Sequence, residues 1–244
     1  MKVDVLLPGF PGKADRGYLG WSNVLLFETQ ELGRTLVDTG SFGDRGLLLD
    51  EIKRRGLEPS AINTVILTHM HSDHVLNIDL FQNAVIVMGE REWQYVASEE
   101  SVERGDVFVP KLYIPYFRQR KLRFVSEGDL LAEGLMVLDL PGHTPGCIGL
   151  LSVADSLVIA GDALKNAREA IFKDPGLCYF SSEKAVEGIN RVLSLAKTVI
   201  PGHDCPFTCE SGVVKPLKSP TVSISHFLNF QEASGSVVHL KAES

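Results

Sequence analysis

Several features that would assign this chain to a familiar class are missing from its sequence. Four cysteines in 244 residues, none of them in a Cys-x-x-Cys pair, are too few for a disulfide framework. No apolar run approaches the length of a membrane-spanning helix, and the segment from Met1 to Pro8 lacks the apolar core of a signal peptide. We therefore expect a cytoplasmic protein with no membrane segment.

Clusters of basic residues and several common catalytic motifs are missing as well. The 24 Lys and Arg residues against 31 Asp and Glu leave a formal charge of −7, with no basic block that would bind phosphates. Nucleic acid is therefore not favoured as a partner, and a small-molecule substrate is expected. The chain has no Gly-x-Ser-x-Gly elbow, no Gly-x-x-x-x-Gly-Lys loop and no Gly-x-Gly-x-x-Gly fingerprint. Nothing in the sequence indicates the oligomeric state.

What the sequence does contain is an uneven distribution of its seven histidines. Three of them lie in Thr68-His69-Met70-His71-Ser72-Asp73-His74, directly after the β-branched run at 64–67. His69 and His71 are two residues apart, so on extended backbone they point the same way, whereas Asp73 and His74 turn toward a second position. Because clustered imidazoles and carboxylates usually mark a metal site, we predict that this segment serves two adjacent ions.

Three further candidate ligands follow strand-like runs, each directly after a glycine. They are His143, Asp162 and His203. Glycine allows the backbone to turn tightly, so several such loops can converge on one edge of a pair of packed sheets. Each is weak evidence alone, but the same placement recurs four times with a metal-binding side chain at the tip. Together they predict one shared site.

The hydrophobic patterning predicts a single domain over residues 1–244, rich in strands and interrupted by a few helices. Helical spacing is seen at Asp44 to Arg55, Glu90 to Ala97 and Glu183 to Ala196. Strands are predicted at 3–7, 20–29, 34–38, 65–67, 84–88, 122–125, 135–140, 148–153, 157–160, 198–200, 222–227 and 237–240.

Residues 98–120 interrupt this pattern with a polar, irregular insertion that carries Phe108, Tyr113, Tyr116 and Phe117. An insertion of this length often forms a lid over a site. The alternative, that the aromatic rings pack the insertion onto the body, is equally supported.

The chain resembles the metallo-β-lactamase superfamily of metallohydrolases, and within it the small stand-alone, single-domain type. The superfamily signature is His-x-His-x-Asp-His followed by a separate His, an Asp and a final His, and every one of these positions is filled here. Val37-Asp38-Thr39-Gly40 is similar to an earlier motif of the family. The resemblance implies an α+β fold, a four-layer αββα sandwich with the metals at one edge of the two sheets.

The resemblance also implies a role for each candidate ligand. His69, His71 and His143 would bind a first metal, Asp73, His74 and His203 a second, and Asp162 would bridge the two. Two zinc ions suit such a His/Asp set, with iron or manganese as alternatives.

Other residues are candidates for supporting roles. Asp38 would support the ligands from behind them, or would only cap a turn. Lys165 would contact a carboxylate or phosphate of the substrate, or would be a solvated lysine opening a helix through Ala170. Tyr113 and Tyr116 of the insertion are weaker candidates for substrate binding.

The implied chemistry is hydrolysis by a hydroxide that bridges the two metals, with Asp73 as the catalytic residue that orients it or carries its proton. Classical β-lactamases have cysteine where this chain has Asp162, which argues against antibiotic hydrolysis. We expect a small ester, lactone or thioester as the substrate. The alternatives are a metal-dependent phosphodiesterase or ribonuclease, and a mononuclear iron enzyme similar to persulfide dioxygenases.

Overall fold

The structure is a computed structural model that describes residues 1–210, 213–217, 221–226 and 236–241. Its strands are, in chain order, β1 (Asp4–Leu7), β2 (Lys13–Ala14), β3 (Gly17–Tyr18), β4 (Val24–Thr29), β5 (Gly33–Val37), β6 (Thr64–Ile66), β7 (Val85–Gly89), β8 (Leu122–Val125), β9 (Leu130–Ala132), β10 (Leu135–Asp139), β11 (Ile148–Ser152), β12 (Leu157–Gly161), β13 (Thr198–Pro201), β14 (Phe207–Glu210), β15 (Val213–Pro216), β16 (Thr221–His226) and β17 (Ser236–Lys241).

The helices punctuate these strands. They are α1 (Arg45–Arg54), α2 (Ser72–Val75), α3 (Glu90–Ala97), α4 (Glu100–Glu103), α5 (Ile114–Phe117), α6 (Ala167–Phe172) and α7 (Ser182–Leu195), with short 3-10 helices at Phe42–Asp44, Pro59–Ala61, Ile78–Leu80 and Lys111–Tyr113.

Two large mixed sheets form the centre of the fold. The first has the order β1-β4-β5-β6-β7-β8, and its last four strands run parallel to one another. The second has the order β15-β14-β13-β12-β11-β10-β9 and is antiparallel except for the β12–β13 pair. Two small hairpins, β2–β3 and β16–β17, stand apart from these sheets.

Three layers of buried apolar side chains alternate with four layers of secondary structure. The middle layer, with Val37 and Ile66 of the first sheet and Leu150 and Ile159 of the second, lies between the sheets. A second cluster joins the outer face of the first sheet to α1 and α3, and a third joins the outer face of the second sheet to α6 and α7. The predicted four-layer αββα sandwich is thereby confirmed.

The helices form where the sequence places apolar residues at helical spacing. In α1, Leu48 and Ile52 are four residues apart and fully buried, so each contributes about 1.5–3 kcal/mol relative to an exposed position. Helix α7 begins at the N-cap Ser181, whose side chain accepts a hydrogen bond from the Lys184 backbone N–H. Its buried face includes Ile189 and Val192.

Most predicted elements are found within one or two residues of their expected bounds. The strand predicted at 20–29 is an exception, because β4 begins only at Val24 and Trp21 forms an isolated bridge with Phe10. The strand predicted at 222–227 is found as Thr221–His226, and Phe227 lies outside the described residues. In the described part of the chain, no helix combines the length and apolar character needed to cross a membrane.

The insertion at 98–120 is folded onto the first sheet. Phe117 is fully buried, and Val109 and Ile114 are nearly so, within the cluster that joins this sheet to α1 and α3. These contacts are those expected when aromatic and apolar residues pack an insertion onto the body of the domain.

Candidate metal centre

Four loops that follow strands bring the predicted ligands to one edge of the sandwich. His69 follows β6, and the chain then enters α2, whose first turn carries Asp73 and His74. The other three loops follow β10, β12 and β13 and carry His143, Asp162 and His203 respectively. The glycine before His203 is required, because a Cβ atom at Gly202 would lie 2.1 Å from Asp162 Oδ1.

The side chains form three sets of three that share members, and we call two of them the first group and the second group. The first group is His69, His71 and His143, and the second is Asp73, His74 and His203. The third set is His69, His74 and Asp162, which takes one histidine from each group. Within each group, one nitrogen or oxygen atom per residue lies within 4.8 Å of the others. All three imidazoles of the first group are buried.

Asp162 lies between the two groups. Its Oδ2 is 3.3 Å from His143 Nε2, while its Oδ1 is 3.3 Å from His74 Nε2 and 3.2 Å from His203 Nε2. Ligands around one tetrahedral zinc lie about 3.4 Å apart when metal–nitrogen bonds are about 2.1 Å long. One carboxylate oxygen therefore faces each group, as the bridging role requires.

The outer hydrogen bonds of His71 and His143 determine which ring nitrogen of each carries the proton. His71 Nε2 lies 2.9 Å from an oxygen of Asp106, and His143 Nδ1 lies 2.8 Å from the Leu177 carbonyl oxygen. Both partners accept only, so these nitrogens are the N–H donors. The remaining nitrogens, His71 Nδ1 and His143 Nε2, face each other at 2.9 Å with their lone pairs. Two lone pairs at this distance repel unless a cation lies beside them.

The orientation of His69 follows from Thr68. The Thr68 hydroxyl donates its hydrogen to Asp38 Oδ2 at 2.8 Å and therefore accepts from His69 Nδ1 at 3.2 Å. His69 Nε2 is left facing the centre. It is buried and has no hydrogen-bond partner among the described residues.

The two histidines of the second group are held in the same way. His74 Nδ1 lies 2.7 Å from Asp38 Oδ2, and His203 Nδ1 lies 3.0 Å from the Trp21 carbonyl oxygen. Their Nε2 atoms, 3.4 Å apart, both point inward. Every imidazole of the two groups thus donates one N–H outward, the arrangement that orients histidine ligands in metal sites. The inward nitrogens fit bound cations, as do His69 Nε2 and Asp162 Oδ1, which have no hydrogen-bond partner within the described ranges.

The electrostatic surroundings of the two groups differ. Burial and then the neighbouring His74 lower the pKa of His69 well below its usual value, and burial and then the charge of Lys165 do the same for His143. Burial also lowers the pKa of His74, but the carboxylates of Asp38 and Asp162 outweigh it and raise the pKa well above the usual range.

Asp38 supports both ends of the loop that follows β6. Its Oδ1 accepts from the Thr68 backbone N–H at 2.8 Å, and its Oδ2 accepts from the Thr68 hydroxyl and His74 Nδ1. Its backbone φ is +58°, a conformation that few residues other than glycine adopt. Asp38 therefore does more than cap a turn, because its carboxylate contacts and orients the predicted ligand His74.

A cleft of about 220 Å³ opens onto both groups. Its lining includes His71, Asp73, Asp162 and His203 from the centre, together with the apolar side chains of Phe10, Tyr18, Phe108 and Leu177.

Lys165, for which the sequence allows either a substrate contact or a solvated position, also lines the cleft. Its side chain is only 14% exposed, and Nζ donates to Glu169 Oε1 at 3.2 Å and to the Pro175 carbonyl at 2.7 Å. Helix α6 begins at Ala167 after the N-cap Asn166, so Lys165 precedes the helix. The interpretation as a solvated lysine opening a helix is wrong.

Tyr113 and Tyr116 lie elsewhere. Tyr113 packs its ring against Phe42 and Tyr116, and the Tyr116 hydroxyl accepts a hydrogen bond from Arg120. Neither tyrosine is among the described residues that line the cleft. The insertion instead places Phe108 in the cleft, with its ring centroid 5.7 Å from that of His71. The structure thus places Tyr113 and Tyr116 at the packing surface of the insertion and outside the cleft, where the predicted substrate binding would require them.

Asp106, also in the insertion, was not identified from the sequence. It is buried, and its Oδ2 accepts from His71 Nε2 and from the Tyr95 hydroxyl at 2.8 Å. An aspartate 35 residues from its partner in an irregular segment gives no local signal. Thr68, which directly precedes His69, could have been noticed from its place in the motif.

Comparison with known proteins agrees with this geometry. The family model described as "Metallo-beta-lactamase superfamily" matches residues 18–203, which include all seven predicted ligands. The chain belongs to the metallo-beta-lactamase superfamily. "Metallo-beta-lactamase domain-containing protein 1" of Mus musculus is 30% identical over 228 residues, covering 87% of this chain and 77% of the relative. Its Xenopus laevis counterpart is 32% identical over 183 residues, covering 70% of this chain and 66% of the relative.

Solved structures of metallo-beta-lactamase fold superpose on this chain. AidC, described as a dizinc quorum-quenching lactonase in complex with the product N-hexanoyl-L-homoserine, has a TM-score of 0.66 and 20% identity, covering 81% of this chain and 79% of AidC. At that identity the likeness shows the fold alone. Several relatives of this chain are named probable metallo-hydrolases. Together with the superfamily membership, these names confirm the prediction of a metal-dependent hydrolase.

Proposed function

We propose that this protein is a dinuclear hydrolase that cleaves a small ester, lactone or thioester. The observation that carries the proposal is the convergence of seven side chains into two groups joined by Asp162, with one ring nitrogen of every histidine directed inward. His69, His71 and His143 would hold one ion, and Asp73, His74 and His203 the other. Asp162 would contact both.

Zinc is the metal we propose for both positions. Histidine and carboxylate ligands without thiolate suit zinc, although iron and manganese accept the same ligand types. AidC, whose fold this chain shares, is described as dizinc, which supports the choice. Two bound zinc ions would lower the pKa of a shared water toward neutrality and polarise the bond to be cleaved.

Asp73 is the residue we assign to proton transfer. Its Oδ2 is 3.5 Å from His203 Nε2, and the side chain lines the cleft and remains 19% exposed. It is therefore both beside the second group and accessible to a water molecule or substrate in the cleft. A carboxylate in this place can orient the attacking water and accept its proton.

The shape and lining of the cleft support a small substrate with an apolar part. Phe10, Tyr18, Phe108 and Leu177 offer apolar contacts, while Lys165 offers a cationic atom for a carboxylate or a developing negative charge. AidC and a second lactone hydrolase of this fold are described with N-hexanoyl-homoserine products, which supports testing lactones first.

The alternatives fit these observations less well. A mononuclear iron enzyme has no use for a complete second group, yet Asp73, His74 and His203 converge here with their outer contacts made. A nuclease gains affinity from basic surfaces, whereas this chain carries a formal charge of −7.

The experiment is an activity panel on purified protein with its metals quantified. Esters, lactones and thioesters are tested beside a phosphodiester, an RNA and glutathione persulfide with oxygen uptake recorded. We expect turnover of a carbonyl substrate that is lost on chelation and restored by zinc. Activity confined to phosphodiesters or RNA, or oxygen uptake with one iron per chain, would contradict the proposal.

A further inference from the structure

Helix α3 contributes none of the predicted ligands, yet it contacts both loops that carry the first group. We propose that Glu92, on this helix, is a positioning residue that fixes the three histidines of the first group. The inference rests on the proposed dinuclear site. It assigns to the first group a positioning residue that is not part of the ligand motif.

Glu92 connects the two loops through three hydrogen bonds. Its Oε1 accepts from the backbone N–H of Met70, which stands between His69 and His71, at 2.9 Å. Its Oε2 accepts from the Thr144 hydroxyl at 2.7 Å and from the Gly146 backbone N–H at 3.1 Å. Thr144 directly follows His143. One carboxylate therefore sets the spacing between the His69–His71 segment and the His143 loop.

The chemistry of these contacts requires a carboxylate. All three partners are donors, so both oxygens must accept, and a glutamine would turn an NH2 group toward at least one N–H or O–H donor. Glu92 is fully buried, and no basic side chain forms an ion pair with it among the described residues. Burying an ionised carboxylate costs several kcal/mol, which these charge-assisted hydrogen bonds must offset. An apolar residue would pack this helix face without that cost.

The backbones of the two elements are also in direct contact. A Cβ atom at Gly146 would lie 2.0 Å from the Glu92 backbone nitrogen, and one at Gly89 would lie 2.6 Å from the Gly146 carbonyl oxygen. Only glycine at both places lets the His143 loop lie against the first turn of α3. Any shift of this helix is therefore transmitted to the loop.

The same helix reaches His71 by a second route. Tyr95, three residues after Glu92 and on the same face of the helix, donates its hydroxyl hydrogen to Asp106, which accepts from His71 Nε2. The second group takes its outer contacts from other elements, namely Asp38 after β5 and the Trp21 carbonyl. Loss of the Glu92 carboxylate should therefore affect the first group selectively.

The test measures zinc affinity by competition with a chelator in single-site backgrounds. His203→Ala leaves the first group intact and His71→Ala leaves the second intact, and Glu92→Gln is added to each. We expect Glu92→Gln to weaken zinc binding about 10–100-fold in the His203→Ala background, and to change it less than about threefold in the His71→Ala background. Glu90→Gln, the same change at an exposed position of α3, should change neither affinity.

Two results would overturn the inference. One is a folded Glu92→Gln protein with unchanged zinc affinity at the first group, and the other is an equal loss at both groups, which indicates a general effect on the fold. If Glu92→Gln does not fold, Thr144→Val removes one of the three hydrogen bonds. It should give a smaller loss at the first group, and Thr144→Ser should restore the affinity. Failure of Thr144→Val to weaken the first group would also overturn it.

The wild-type protein separates this inference from the proposed function. A wild-type chain that binds no zinc contradicts the dinuclear hydrolase itself. A wild-type chain that binds two zinc ions, with Glu92→Gln equally competent at the first group, contradicts only the role of Glu92.

Discussion

The two ligand groups are built from similar residues but are held by opposite kinds of surroundings. The first group, His69, His71 and His143, is fully buried, and burial keeps the pKa of His69 and His143 well below the usual value. In the second group, the carboxylates of Asp38, Asp73 and Asp162 outweigh burial and raise the pKa of His74. The histidines of one group are held in buried surroundings, and those of the other are surrounded by carboxylates.

This difference indicates that the fold stabilises the two bound cations in different ways. Neutral imidazoles bind a metal without first losing a proton, but their rings must be held in the right orientation. The first group has the more extensive hydrogen bonds to surrounding residues, which provide this orientation. Glu92 spans its two loops and Asp106 orients His71. The second group attracts a cation through the carboxylates in and around it, so its side chains need fewer orienting hydrogen bonds.

Removal of a ligand from the first group is expected to have the largest effect. His71→Ala takes away one of three nitrogens while leaving the two sheets and their cores intact. We expect turnover to fall by more than the factor of about 10–100 that is typical when an outer partner of a ligand is lost. Bound zinc should fall from two ions to one. Steady-state kinetics with metal analysis check this, and an unchanged rate would rule out His71 as a ligand.

A change behind the second group is expected to have an intermediate effect. Asp38→Asn removes the charge that orients His74 Nδ1 and keeps the shape of the side chain. Zinc affinity at the second group should fall about 10–100-fold, with a smaller loss at the first group, which Asp38 contacts only indirectly through Thr68 and His69. Asp50→Asn, the same change at an exposed position of α1, is the control. Equal weakening of both groups would show that the two sets of surroundings do not act separately.

The Lys165–Glu169 pair beside the first group should give a pH-dependent stability. Burial raises the pKa of Glu169 to about 7, in spite of the opposing charge of Lys165. Since the pKa of Glu169 in the folded protein exceeds the ordinary value of 4.5, this contribution to stability is fully present below pH 4.5 and is lost as the pH rises through 7.

Glu169→Gln removes this titration, so its unfolding measured beside the wild type isolates the effect. Between pH 5 and pH 8, we expect the wild type to lose up to about 3 kcal/mol relative to Glu169→Gln. Urea unfolding of both proteins without metal measures the difference. A difference that does not change with pH would contradict the burial of an uncharged Glu169.

The smallest effects should come from the insertion at 98–120. Phe108 lines the cleft beside His71, whereas Tyr113 packs against Phe42 away from it. Phe108→Ala should raise KM about tenfold for a substrate with an apolar part, as expected for the loss of about 1.4 kcal/mol of contact. Tyr113→Phe should leave KM and kcat within about twofold. A larger effect of Tyr113→Phe would place this tyrosine in substrate binding after all.

Much of the fold was predictable because its signals are local. Helix α3 is found at Glu90–Ala97 as predicted, since its apolar spacing and its flanking strand both lie within a short segment. The short strands β9 and β14 were missed, because three or four residues do not show a clear period.

The candidate site shows the same division between local and distant signals. The ligands could be listed from the sequence because each stands in a recognisable motif after a strand. Their supports could not, since Glu92 lies 22 and 54 residues from its backbone partners in the two loops, and Asp106 lies 35 residues from His71. Only the folded chain shows that a helix without ligands lies behind the first group. That Tyr113 and Tyr116 lie outside the cleft could not be predicted for the same reason, because the direction of a side chain within an irregular segment has no sequence signature.

We propose that two groups of ligands joined by Asp162 hold two metal ions in one chain. A crystal structure of zinc-loaded protein with anomalous scattering data collected on both sides of the zinc edge tests it most directly. We expect two zinc peaks, one within bonding distance of His69, His71 and His143, and the other of Asp73, His74 and His203, with an oxygen of Asp162 on each. A single peak, or two peaks of which one lies outside these groups, would contradict it.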